Sequence, residues 1–147
     1  MKKLVLIAAA FIVLQANAVN DNPINEKVKK TFEMVFAKAE NVQWRTDNER
    51  NEASFSLGNT KVRAVIDNNG QLIRTIRYYG EDGLPAAIRY SLKKKYENKA
   101  IINVSELSEN DGVVYYVTLK DEKHMITTVM NSTGEVIRSQ KYKRGDI

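Results

Sequence analysis

Few residues in this sequence could carry out catalysis. His124 is the only histidine and there is no cysteine, so a His/Cys zinc site within one chain is excluded. A Ser-His-Asp triad would have to use His124, which falls in a predicted hairpin turn at residues 121–124. Histidines in turns are usually solvated. We therefore expect no enzyme, no catalytic residue, no metal site and no cofactor.

Acidic residues that are close in sequence fall in predicted loops. The Glu-Asp pair at residues 81–82 and the pair Glu109 and Asp111 have turn-like surroundings, and nothing places two carboxylates across a cleft. The segment Asp67-x-Asn69-Gly70 resembles part of a calcium loop but lacks the remaining ligands and the closing glutamate. A hairpin turn accounts for this segment fully.

Aromatic and arginine side chains are the remaining candidates, because tyrosine, tryptophan and arginine most often anchor interfaces. Arg74 and Tyr78 are four residues apart on one predicted strand face, and Arg138 and Tyr142 repeat that spacing. The candidate binding residues are Trp44, Arg74, Tyr78, Arg138 and Tyr142. The alternative is that the aromatics fill the core or its rim and the arginines are solvated. Trp44 could equally be a core residue between a helix and a sheet.

Two segments have the periodicity of amphipathic helices. Val28, Phe32 and Phe36 share one predicted face in the first segment, which Asn25 is suited to cap. In the second segment the face consists of Ile88, Leu92 and Tyr96. Pro85 suits the first turn of this second helix, and Lys93, Lys94 and Lys95 fall in its last turn.

Each helix is followed by runs with a period of two, which is typical of antiparallel strands with one buried face. These runs repeat along the chain: residues 62–74 match residues 126–138 at an offset of 64, with Gly70 over Gly134. Residues 80–83 join the two copies. We predict an α+β fold, a tandem repeat of a helix plus a four-stranded antiparallel meander, with the helices packed on one face of the sheets.

The start of the chain has the features of a secretory signal peptide. Lys2 and Lys3 precede an uncharged apolar run over residues 4–14, and small residues stand at the −3 and −1 positions of a cut after Ala18. We expect residues 1–18 to be cleaved and the protein to be periplasmic or secreted. Residues 19–147 would then form a single domain of two repeats, at about 24–79 and 84–143. The apolar run is too short to span a membrane.

Charge says little about the partner. The formal net charge is +5, but Lys2 and Lys3 contribute two of these charges, and the other basic residues are interleaved with acids. A nucleic-acid partner would favour a more concentrated basic element. We expect no nucleic acid and no membrane span, and either a monomer or a weak dimer.

Several segments resemble the PepSY-like domains of exported bacterial proteins. The likeness lies in the run Phe32 to Trp44 with its core Phe36-Ala37-Lys38-Ala39-Glu40-Asn41-Val42-Gln43-Trp44, in Ala53-x-Phe55, in Asp67-x-x-Gly70 and in Leu84-Pro85-Ala86-Ala87-Ile88. This family is described as resembling the β-lactamase inhibitor protein fold. The resemblance implies a periplasmic or secreted domain without an established activity.

We therefore expect an exported, non-catalytic binding or inhibitor-like module of the bacterial cell envelope, with a protein, peptide or envelope polymer as its partner. It would present an open sheet face to that partner. The alternative is a periplasmic carrier or sensor that holds a small molecule or ion between the helices and the sheet.

Overall fold

The computed structural model of the protein describes residues 24–47 and 49–145, so the predicted leader and its cleavage site at Ala18 lie outside the described residues. The elements, in chain order, are helix α1 (Glu26–Val35), strands β1 (Glu40–Thr46), β2 (Arg50–Leu57), β3 (Thr60–Asp67) and β4 (Leu72–Tyr79), a 3₁₀ turn (Glu81–Gly83), helix α2 (Ala86–Lys95), and strands β5 (Ala100–Glu109), β6 (Gly112–Lys120), β7 (His124–Asn131) and β8 (Val136–Lys143).

All eight strands belong to one antiparallel sheet, in which each strand pairs with its neighbours in the sequence. The predicted fold, a tandem repeat of a helix plus a four-stranded meander, is therefore wrong. The described residues form mostly one eight-stranded sheet with two short helices, and 55% of them are in strands and 19% in helices. The prediction failed because it ended each meander at its fourth strand. It left open how the backbone groups on the facing edges of β4 and β5 would be satisfied.

Those edges pair with each other. The register of β4 with β5 is unbroken from Arg74 opposite Glu109 to Tyr79 opposite Val104. The joint at residues 80–83 is therefore a short connection over the end of a continuous sheet. Leu84, just after it, is 4% exposed and belongs to the core under α2.

Both helices lie on the same face of this sheet. Residues that are paired across antiparallel strands share a face, and one row of paired residues crosses six strands. This row consists of Phe55, Val62, Arg77, Glu106, Tyr115 and Met130. Its first two members pack in the core under α1 and its last two pack in the core under α2. We call this side the covered face and the other side the open face.

Helix α1 packs through Val28 and Phe32, which are 0% and 7% exposed. The Phe32 ring contacts the rings of Phe36, Trp44 and Phe55 with centroids 5.0 to 5.4 Å apart. Edge and tilted contacts of this kind add about 0.5–1.5 kcal/mol per pair to area burial. This aromatic cluster fixes the helix over β2 and β3.

The β3–β4 turn is hydrogen-bonded to helix α1, both at its N-cap and in its middle. The side-chain oxygen of Asn25 accepts a hydrogen bond from the Lys27 N–H at 2.9 Å, which confirms it as the N-cap of α1. Its amide also donates to the Asn68 carbonyl in the β3–β4 turn. In the same turn, the Gly70 carbonyl accepts a hydrogen bond from the Thr31 hydroxyl at 2.7 Å.

Gly70 provides a test of this docking, because its φ is +86° and a Cβ there would lie 2.9 Å from the Lys27 carbonyl oxygen. Gly58 has a φ of +55° but no atom within 4 Å of such a Cβ. Left-handed backbone costs a non-glycine residue about 1–2 kcal/mol. We expect Gly58→Ala to lose about that amount of unfolding free energy and Gly70→Ala to lose clearly more, because the helix must also shift. Urea unfolding followed by Trp44 fluorescence measures both. Equal losses would show that the helix contact at Gly70 carries no free energy.

Candidate functional site

The open face carries an apolar patch at its centre. Two rows of paired residues build it: Ile76 lies opposite Leu107, which lies opposite Val114, and beside them Tyr78, Ser105, Tyr116 and Val129 form the next row. We call the apolar members of these rows the central patch; they are Ile76, Tyr78, Leu107, Val114, Tyr116 and Val129. Five of them are partly exposed, and Tyr116 is the most exposed at 43%. No helix of the described residues covers them.

Tyr116 is the most prominent side chain of the central patch, and its neighbour explains why. The alternation along β6 buries Tyr115, at 7% exposed, on the covered face and turns Tyr116 outward. β6 is apolar on both faces from Val113 to Val117, so the only sequence signal that turns Tyr116 outward is its phase with the polar Thr118 and Lys120 at the end of the strand. Tyr116 is therefore absent from the binding residues predicted from the sequence.

Two shallow pockets flank the central patch. One, of about 180 Å³, lies beside Tyr116 and is also lined by Ser105, Val129 and Arg138. The other, of about 420 Å³, is lined by Tyr78 together with Lys61 and Arg63. Each pocket thus combines a tyrosine with at least one cationic side chain, which suits it to take an anchoring side chain of a partner.

Arg63 is held in place by neighbours on the open face. Its guanidinium donates to the Glu52 carboxylate at 2.6 and 3.2 Å. The bond to Glu52, followed by that to the Tyr78 hydroxyl, raises the pKa of Arg63 above its usual value. The pair is partly exposed, so its contribution to stability is small. Its effect is to fix the guanidinium beside Tyr78.

The structure separates the five candidate residues. Arg74, Tyr78, Arg138 and Tyr142 lie on the open face. Tyr78 and Arg138 belong to the same cross-strand row but are four strand spacings apart, about 19 Å. Trp44 lies on the covered face, paired with Ala53 and packed edge-on against Phe32 at 5.0 Å. It is not brought together with the other four.

Between the two helices, the covered face carries a polar group. The Tyr79 hydroxyl donates a hydrogen bond to the Glu106 carboxylate, and Arg77 lies 3.4 Å from the same carboxylate. The Arg77 guanidinium also lies over the Tyr79 ring at 5.7 Å. Burial and the bond to Glu106 raise the pKa of Tyr79 well above its usual range, so Tyr79 remains a hydrogen-bond donor. These contacts tie β4 to β5.

His124 lies at a corner of the sheet, as the first residue of β7 rather than within the turn. An open cleft of about 710 Å³ there is lined by polar residues including Lys123 and His124, and no serine lines it among the described residues. Asp121 accepts hydrogen bonds from the backbone N–H groups of Lys123 and His124, and its other oxygen lies 2.5 Å from the Lys99 ammonium. Asp121 is a turn-stabilising residue in this arrangement.

The acidic residues considered from the sequence do not converge. Asp67 accepts hydrogen bonds from the backbone of Asn69 and Gln71, as a hairpin turn requires. Within residues 24–47 and 49–145, no group of three or more His, Cys, Asp or Glu side chains could hold a metal ion. Over the same residues, no helix is long and apolar enough to cross a membrane.

No protein-family model matches the chain, and no curated protein matches it. Several solved structures do. A BLIP-like protein from Bacteroides fragilis has a TM-score of 0.64 at 16% identity, over 84% of this chain and 90% of that one. A DUF2874 family protein from Bacteroides ovatus has a TM-score of 0.62 at 16% identity, over 79% and 86%. A Bacteroides eggerthii protein, named provisionally as periplasmic, has a TM-score of 0.60 at 16% identity, over 79% and 87%.

At this identity the likeness shows the fold alone. The chain has a BLIP-like fold, shared with DUF2874 and BLIP-like proteins from Bacteroides. Membership of the PepSY-like family stays a prediction.

The turn at Asp121 gives a pH-dependent prediction. The Lys99 ammonium, then the backbone N–H groups, hold the pKa of Asp121 below its usual value. The unfolded state therefore binds this proton more tightly, and the stabilisation present at neutral pH is lost as pH falls below about 4. We expect Asp121→Asn to lower the melting temperature at pH 7, and the gap to wild type to narrow at acid pH. Thermal melts from pH 7 downward measure this, with Glu122→Gln as the control from the same hairpin. A gap that stays constant with pH would contradict the assignment.

Proposed function

We propose that the protein is a non-catalytic binding module of the bacterial cell envelope that docks a protein partner on its open face. The observation that carries this proposal is the central patch, an apolar and aromatic surface on the side of the sheet that no described helix covers. Exposed apolar patches rimmed by polar residues are typical of interaction sites.

Charge supports a partner with an acidic surface. Lys61, Arg63 and Arg138 lie beside the central patch and line the two pockets that flank it. Of these, Arg63 is already paired with Glu52, whereas Arg138 makes no side-chain ion pair among the described residues. Arg138 is exposed on β8, an edge strand of the sheet. A carboxylate on the partner would complete its hydrogen bonding and orient the complex.

The solved structures with this fold support the setting. One is named BLIP-like and another is named provisionally as periplasmic. The predicted leader, if it is cleaved after Ala18, would deliver the domain to the same compartment. A monomer or weak dimer stays our prediction for the free protein.

The packing favours this proposal over the carrier or sensor. That alternative places a ligand between the helices and the sheet, but the described core fills this space. Val28 and Phe32 pack directly on β2 and β3, and Ile88 and Leu92 pack directly on β5, β6 and β7.

A pair of tyrosines tests the proposal. Tyr116 is 43% exposed in the central patch, and Tyr90 is 67% exposed on α2, on the other side of the sheet. We expect Tyr116→Ala to weaken binding of an envelope protein at least about tenfold, as loss of an interface anchor does, while Tyr90→Ala binds like wild type. The immobilised domain first isolates a saturable partner from envelope extract. The dissociation constants are then measured with that partner purified.

Trp44→Phe serves as a second control. Because Trp44 lies on the covered face, we expect this substitution to change the stability of the protein rather than its contact with the partner. Failure to find a saturable partner would contradict the proposal. So would equal losses of affinity for Tyr116→Ala and Tyr90→Ala, since they would place the contact elsewhere than the central patch.

A further inference from the structure

A second cleft lies at a corner of the open face, between the ends of β1 to β4. It has a volume of about 230 Å³ and contains four arginines, namely Arg45, Arg50, Arg63 and Arg74. Its two acidic lining residues are Asp47 and Glu52. The cleft therefore has a formal excess of two positive charges.

The two acids are already occupied. Glu52 is the partner of Arg63. Asp47 accepts hydrogen bonds from the backbone N–H groups of Glu49 and Arg50 at 3.0 and 2.8 Å. These bonds, with the nearby Arg50 and Arg45 charges, lower the pKa of Asp47, so it remains ionised. Arg45, Arg50 and Arg74 form no salt bridge within 4.0 Å among the described residues.

The floor of the cleft is apolar. Val65 is only 5% exposed although it lies on the open face, between Glu52 and Arg74 in the paired row. Charged groups that gather over a buried floor are less well screened by water than charges on a convex surface. Attraction for an anion is correspondingly stronger there.

One arginine of the cleft has an unsatisfied donor. Arg74 Nε is buried and lacks a hydrogen-bond partner among the described residues. A buried donor without a partner is costly, so such atoms are rare and call for an explanation. A guanidinium N–H is a donor that an oxyanion accepts from.

We propose that this cleft is a binding site for a small oxyanion, a carboxylate or phosphate group, held by Arg74, Arg45 and Arg50. Planar guanidinium groups match both oxyanions through paired N–H donors. The cleft shares Arg63 with the pocket beside Tyr78, but binding of a small anion by its other arginines does not require a protein to dock on the central patch.

Glu109 sets a limit on the anion. It is the cross-strand neighbour of Arg74 on the open face and is exposed, without a salt bridge among the described residues. Its charge lies on the β5 side of the cleft and repels a ligand that extends in that direction. The bound group should therefore approach from the side of the β1–β2 turn.

The test is a titration of the whole domain with inorganic phosphate and, separately, with succinate, at constant ionic strength. Amide chemical shifts of ¹⁵N-labelled protein locate the site, and calorimetry gives the dissociation constant. We expect saturable binding of at least one probe, with shifts centred on residues 45–50 and 63–74 and affinity that falls as salt is added. Saturation by phosphate alone identifies a phosphate site, and saturation by succinate alone identifies a carboxylate site.

Arg89 of helix α2 serves as the control, because it lies on the other side of the sheet and does not line this cleft. We expect Arg74→Gln to weaken binding about tenfold or more, because it removes a charge-assisted hydrogen bond, and Arg89→Gln to leave it unchanged. If Arg74→Gln unfolds the protein, Arg45→Gln takes its place.

Thermal melts of the same variants separate a binding role from a structural one. Arg74→Gln removes a buried donor that lacks a partner, so the melting temperature should stay the same or rise while anion affinity falls. The proposal is overturned if neither probe saturates, if the shifts spread over lysines across the whole surface as for an adventitious ion only, or if Arg74→Gln and Arg89→Gln weaken binding equally.

Discussion

The pairing of β4 with β5 is the constraint on which the rest of the structure depends. Without it, each helix would cover a four-stranded sheet with two free edges, and about sixty residues is marginal for an independent core. With it, the eight strands form one sheet and only β1 and β8 remain at its edges. The backbone bonds of this pair are reinforced on the covered face by Tyr79, Arg77 and Glu106.

The same pairing determines which side chains can meet a partner. Because β4 and β5 continue the sheet without a break, Ile76 and Tyr78 of β4 lie on the same face as Leu107 of β5 and Tyr116 of β6. The central patch therefore exists only in the continuous sheet. The two helices occupy the other side, so that burial of the core and exposure of the patch are two consequences of one alternation along the strands.

Local features could be read from the sequence. Asn25 is the N-cap of α1, Lys93 to Lys95 form the last turn of α2, and Gly70 and Gly134 take the positive φ that the turn clusters require. These outcomes depend on a few neighbouring residues. The pairing of Arg77 with Glu106 brings together residues from different halves of the chain across α2, and no local pattern encodes that.

The face of the sheet on which Trp44 lies could not be predicted from the sequence either. In β1 the alternation is weak and is interrupted by a bulge between the Glu40 and Gln43 pairings, so the face of Trp44 depends on where the register resumes. The arginine cleft was missed for a related reason. Arg45, Arg63 and Arg74 come from three different strands, and they converge only once the strands are aligned.

Native-state hydrogen exchange tests the continuity of the sheet most directly, because it measures the opening free energy of each strand pair separately. The account predicts that the amides bonded between β4 and β5 exchange only through global unfolding. Their opening free energy should then equal that of the central amides of the β2–β3 and β6–β7 pairs. If the β4–β5 amides instead exchange with a markedly lower free energy, while the pairs on either side stay protected, the two halves are separate units. The single sheet, and the patch that crosses it, would then be contradicted.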